Sequence, residues 1–138
     1  MSTQISNTTV ADLATQAVVT VHANAKVGLA DAKMRLADIR HLPVVDDEEQ
    51  VVGIVSHRDL LVALGESLGN AVSIRSVMRE DVVIVRPETR AYEAAALMLD
   101  RKIGALPVVD HSGKLTGIIT ETDFLRVAYE LLGGRVLD

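Results

Sequence analysis

The 138-residue sequence contains no cysteine and no tryptophan, and its Phe and Tyr residues are three in number: Phe124, Tyr92 and Tyr129. Without cysteine, disulfides, thiolate nucleophiles and zinc ribbons are excluded together. With so few aromatics, the core has to be built from Val, Ile, Leu, Ala and Met, and a hydrophobic fraction of 49% supplies them. Positive charge is also scarce: 14 Lys and Arg face 19 Asp and Glu, for a net charge of −5. That balance opposes a general grip on nucleic-acid backbone or anionic membrane, which needs basic surface. It leaves room for a local basic pocket. No apolar run approaches the roughly 18 residues of a membrane span. The opening stretch Met1–Thr9 has neither the basic nor the apolar part of a secretory signal. The expectation is a soluble cytoplasmic protein with neither membrane nor nucleic acid as a partner. His22, His41, His57 and His111 show no close ligand spacing, so no metal site is expected.

What the sequence does contain is itself, twice. Leu42-Pro-Val-Val-Asp46 recurs as Leu106-Pro-Val-Val-Asp110, Gly53-Ile54 as Gly117-Ile118 and Asp59 as Asp123, each 64 positions on and without a gap. Val18, Val19, Val21, Ala30, Met34 and Ile39 fall on Val82, Val83, Val85, Ala94, Met98 and Ile103 at the same offset. The chain reads as two copies of one unit, 9–68 and 73–134. Each copy opens on a β-branched run, Val18–Val21 or Val82–Val85, expected to be a strand. An Ala/Leu/Met-rich stretch follows, Val27–Ile39 or Thr89–Ile103, with helical propensity, closed by Pro43 or Pro107. A hairpin is expected next, turning at Asp46–Gln50 and at Asp110–Lys114, then a second helix over Ser56–Leu64 and Thr120–Leu132. The fold class is α+β, two strand–helix–strand–strand–helix repeats with helices backing a small sheet. One unit of about 60 residues buries too little to be comfortable alone, so the repeats are expected to pack with pseudo-two-fold symmetry. Six apolar residues in a row, Ala94–Leu99, make a wider stripe than one core needs, which suggests a homodimer or a wider internal core. Gly65–Ser76 reads as a linker and Gly133–Asp138 as a loose tail.

Chemistry concentrates in Gly53-Ile-Val-Ser56-His-Arg-Asp59 and Gly117-Ile-Ile-Thr120-Glu-Thr-Asp123. A hydroxyl residue ends the strand and a carboxylate stands three later, where a helix opens. Helix capping alone accounts for one such motif. The same placement also suits a ligand: a helix start favours an anion such as phosphate, and a carboxylate there can accept ribose hydroxyls. Its recurrence in register points to a nucleoside-phosphate site.

On these residues, with Leu-Pro-Val-Val-Asp in both copies, the chain resembles a tandem cystathionine-β-synthase (CBS) domain pair, or Bateman module, over about Thr9 to Leu132. The resemblance implies a regulatory binding protein that holds AMP, ADP, ATP or S-adenosylmethionine in clefts between repeats. It also implies a homodimer and an as yet unnamed regulated protein. Carried over by position, Asp59 and Asp123 would hold ribose, and Ser56 and Thr120 would contact ribose or phosphate. Adenine would lie against Thr20-Val21-His22 or Ile84-Val85-Arg86 and the corners Leu42-Pro43 or Leu106-Pro107. Phosphate would face Arg40, His41, His57 and Arg58 in the first copy. The second copy has Gly104, Ala105, Glu121 and Thr122 at those places, so the two clefts are expected to be unequal. Arginine near a helix start opposes the helix dipole, which is a further reason to expect an anion beside Arg58. His111, in a turn, is expected to be solvated.

No nucleophile elbow, Walker loop, dinucleotide fingerprint or zincin motif is present. Asp59 and Asp123 sit in equivalent settings, which does not separate an acid from a base. No catalytic residue and no cofactor are expected. The rival reading is a structural or interaction module whose clefts are vestigial.

Overall fold

A computed structural model of the chain describes residues 5–16, 18–66 and 71–135. In chain order the elements are α1 (Val10–Leu13), β1 (Val21–His22), α2 (Val27–Ala37), β2 (His41–Val45), β3 (Val51–Ser56), α3 (His57–Leu64), a 3-10 turn (Ile74–Ser76), α4 (Ala91–Arg101), β4 (Ala105–Val109), β5 (Leu115–Thr120) and α5 (Glu121–Leu131). The class is mixed α+β, with the repeat order strand, helix, strand, strand, helix. In the first repeat β1 runs parallel to β2, and β2 antiparallel to β3. In the second, β4 pairs with β5, and the opening strand is reduced to one parallel bridge, Val85 to Val108. The register is shared all the same, because Val21 pairs with Val44 and both partners lie 64 residues before that bridge. The expected strands Val18–Val21 and Val82–Val85 are therefore shorter than their β-branched composition suggested.

The prolines do not end the first helix of either repeat. Asp38 and Lys102, each with φ 55°, turn the chain into the left-handed region after α2 and α4, a common helix terminus. The amides of Ile39 and Ile103 then fold back onto the carbonyls of Met34 and Met98. Pro43 sits inside β2 opposite Ile54. Ile54 exchanges both backbone groups with Arg79, so the position facing Pro43 does not require the N–H that proline lacks. Pro107 lies in β4. The hairpin turns are as expected. Asp46 Oδ1 accepts from the Glu48 and Gln50 amides at 2.9 Å, and Gly113, at φ 88°, supplies the positive φ of the second turn.

Each core is finished by a segment from outside its own repeat body. One compact unit is residues 19–82 with 113–115; the other joins residues 1–18 to 83–112 and 116–138. In the first, Ile74 is fully buried with Val21, Met34, Leu42, Val55 and Leu60. In the second, Val10, exactly one repeat length before Ile74, is fully buried with Val85, Met98, Leu106 and Ile119. The backbone repeats the substitution: Lys26 bridges Ser73 as Arg90 bridges Thr9, and Ile54 bridges Arg79 as Ile118 bridges Thr15. The stretch expected as a linker, Gly65–Ser76, is corrected by this. Its C-terminal part belongs to the first core because Ile74 is the apolar plug that core needs, while 67–70 lies outside the described residues. Of the tail, 136–138 likewise lies outside them.

A fragment of residues 19–82 is expected to melt cooperatively, because it carries its own plug. A fragment of residues 9–68, of similar length, lacks Ile74 and is expected to show no cooperative transition by circular dichroism. In the full chain Ile74→Ala is expected to cost about 2–5 kcal/mol by denaturant unfolding.

Candidate functional site

In the first repeat, the candidate residues are brought together by strand register and one backbone bond. His41 pairs with Ser56 across β2 and β3, and the His57 amide donates to the Arg40 carbonyl at 2.7 Å. Arg40, His41, His57 and Arg58 therefore flank one strand end and one helix start. The Ser56 amide donates to Asp59 Oδ2 at 2.9 Å, and the Asp59 amide to Ser56 Oγ at 3.1 Å, a closed capping box. The second repeat copies the frame. The Glu121 amide donates to the Gly104 carbonyl at 3.1 Å, and the Thr120 amide to Asp123 Oδ2 at 2.8 Å. Here the hydroxyl donates instead, at 3.4 Å, to the same oxygen.

Capping thus uses one oxygen of each carboxylate. Both boxes rest on Oδ2, and an ionised carboxylate has two oxygens and about four lone-pair sites, so Oδ1 is left for a further donor. The amides are less generous. In α3 the first is committed to Arg40 and the third to Ser56, so an anion at this helix start depends on side-chain cations more than on bare N–H groups.

The strand and corner residues do other work. Val21, Leu42 and Val44 are core. Pro43, Val85, Ala105, Leu106 and Pro107 are buried as well, so their side chains serve packing first. Thr20 is half-buried, and its carbonyl accepts from Lys33 Nζ at 2.7 Å. His22 clasps its strand end to the hairpin turn. Its Nδ1 accepts from the Asn24 amide at 3.0 Å, which places the ring proton on Nε2, facing Asp47 Oδ1 at 2.7 Å. Arg86, the equivalent residue, ties down the other hairpin by donating from Nη1 to the carbonyls of Val109 and Asp110. His111 is corrected: it is exposed but paired, with Nε2 2.7 Å from Glu88 Oε2. Glu121 and Thr122 are exposed, as is Arg58, while His57 is half-buried.

One cleft lies wholly within the second repeat. It has a volume of about 660 Å³ and is walled by Ile84, Val85 and Arg86 on one side and by Tyr92, Glu93 and Leu97 of α4 on the other. The helix wall carries no sequence motif of its own. Its visible signal was the loss of a cation, Leu97 standing where the first repeat has Lys33. Among the described residues no group of three or more His, Asp or Glu is placed to hold a metal ion, and no helix is long and apolar enough to cross a membrane.

Comparison with known proteins is consistent across the chain. The family model described as "CBS domain" matches residues 10–66 and again 74–130. The first curated relatives are longer proteins, of which the chain matches 21%, 50% and 43%. Among them is inosine-5'-monophosphate dehydrogenase of Methanocaldococcus jannaschii, 37% identical over 79% of this chain. Solved structures are similar over nearly their whole length, among them two with bound ligands. A CBS domain pair in complex with 5-methylthioadenosine and S-adenosyl-L-methionine is 28% identical, with a TM-score of 0.83 over 90% of this chain and 98% of that one. The protein CBSX2 in complex with AMP is 32% identical, with a TM-score of 0.77 over 91% and 98%.

The Glu88 carboxyl is held below its ordinary value of 4.5, first by a backbone hydrogen bond and second by the His111 side chain. A depressed carboxylate pKa stabilises the fold above the unfolded-state value, about 4.3, and that contribution is lost as pH falls through the lower folded value. By carboxyl NMR, Glu88 is expected to titrate below 4.5 and to move part of the way back in His111→Ala. A midpoint that the substitution leaves unchanged removes the contact.

Proposed function

Because the chain belongs to the CBS domain family, with two such domains in tandem, we propose that it is a sensor of adenosine ligands (AMP, ADP, ATP or S-adenosylmethionine) that acts by binding and without catalysis. The observation that carries this reading is the doubled helix start. Ser56 with Asp59 and Thr120 with Asp123 are locked in register by the same box, each with a carboxylate oxygen to spare. That oxygen suits ribose hydroxyls. The four bases around α3 suit phosphate, and their counterparts Gly104, Ala105, Glu121 and Thr122 do not. The first repeat is the phosphate-holding half, and the second is the weaker one for any polyphosphate. The ligand-bound relatives support the ligand class.

Ligand would stabilise one state of the module, and a regulated partner would read that population. A second copy of the chain is part of the proposal. Leu99 on α4 is 81% exposed. Leu125 on α5 is 69% exposed. Apolar side chains so placed are covered in an assembly.

Calorimetry with the four ligands is expected to give saturable heats that vanish in Asp59→Ala with Asp123→Ala. Arg40→Ala with Arg58→Ala is expected to weaken ATP by about ten- to a hundredfold per lost contact, since hydrogen bonds to charged groups contribute about 1.5–3 kcal/mol, and to leave adenosine alone. No heat, and no rise in melting midpoint with any of the four, favours the vestigial module. Light scattering after gel filtration is expected to report a dimer that Leu99→Glu with Leu125→Glu converts to monomer. A wild-type monomer removes that part.

A further inference from the structure

The two repeats answer one local problem in opposite ways. In the first, Lys33 on α2 crosses to the opening strand and its ammonium donates to the Thr20 carbonyl at 2.7 Å. Adding 64 to each number gives Leu97 on α4 and the Ile84 carbonyl. Leucine has no donor to offer. At this place the second repeat has the open cleft of about 660 Å³, walled by Ile84, Val85, Tyr92, Glu93, Leu97 and Asp100. Arg86 also lines it, with Nη1 already engaged by the Val109 and Asp110 carbonyls. Two carboxylates against one guanidinium leave a net negative lining around an apolar floor.

We propose that this cleft binds a free aliphatic amine as its ammonium ion, standing where the Lys33 side chain stands in the first repeat. The methylene chain lies on Val85 and Leu97. The charged head takes the Ile84 carbonyl as its acceptor and the Glu93 and Asp100 carboxylates as counter-ions. Tyr92, which also lines the cleft, supplies an aromatic ring for the cation. Lys33 shows the necessary reach, a four-carbon stem. The volume lies within the range of small-molecule sites and has room for a longer polyamine. Neither Asp59 nor Asp123 lines the cleft, so this inference stands apart from the nucleotide reading. The two meet only at Ile84–Arg86, where an amine and an adenosine ligand would exclude one another.

The test is titration of the full chain, without nucleotide, by butylamine and by spermidine, followed by amide NMR and calorimetry at low salt. Shifts are expected to centre on 84–86 and 92–100. Leu97→Lys is expected to supply the ammonium from within and abolish binding. Glu93→Gln with Asp100→Asn, both at exposed positions, is expected to weaken spermidine at least fivefold and tests the site even where a buried lysine spoils folding. Four results overturn the proposal: equal binding of neutral butanol, undiminished binding by the Glu93/Asp100 variant, shifts spread over all acidic surface, or binding of a Gly-Lys-Gly peptide in place of both free amines.

Discussion

The outer edge of each hairpin is closed by a segment borrowed from another stretch of the chain, and the rest of the molecule depends on that closure. Ile54 exchanges two backbone hydrogen bonds with Arg79, and Ile118 two with Thr15. Left open, β3 and β5 would each present unpaired N–H and C=O groups, the usual template for unwanted strand pairing. The same segments bring Ile74 and Val10 into the cores. Edge satisfaction and core completion therefore happen in one step. Neither repeat can be cut out along its sequence boundaries without losing both.

Closure of the edge in turn fixes where β3 and β5 end, and the candidate site is built on those ends. Ser56 and Thr120 are at once the last strand residues and the helix caps. A residue with both duties has little freedom, so Asp59 and Asp123 are held with one oxygen tied and one spare. Capping and ligand binding are not rival explanations here. The cap is what orients the carboxylate, as supporting hydrogen bonds orient groups in functional sites generally.

Much of this was legible from one internal comparison. The repeat, the order of elements, the hairpin turns at Asp46 and Asp110, and the caps at Ser56 and Thr120 all follow from residues whose local chemistry has one solution. What failed was long-range. Nothing in Val72–Arg79 says that Ile74 belongs to the first core, because its neighbours read as a polar connection and the partner surface lies elsewhere in the sequence. The prolines misled for a related reason. Their effect on a preceding helix is local and strong, but Asp38 and Lys102 had already ended the helices, and Pro43 was placed in a strand position that asks for no N–H. His22 and Arg86, which the resemblance places against adenine, also have a structural duty that the strand's own sequence does not reveal. Their hydrogen bonds go to a turn 20 or more residues away.

The two copies share Leu-Pro-Val-Val-Asp, both capping boxes and the paired methionines, and those positions build the fold. Around the candidate sites four differences change the charge: Arg40 for Gly104, His57 for Glu121, Arg58 for Thr122, Lys33 for Leu97. Every one of these moves a cation out of the second copy. Elsewhere the second copy gains cations, Lys102 for Asp38, Lys114 for Gln50 and Arg126 for Val62, so the loss is local and is not a drift of the whole copy. A loss gathered at the start of α3 and at Lys33 fits the proposal of two sites for ligands of different charge. On that proposal one repeat offers cations to an anion, and the other offers carboxylates and an open cleft to a cation.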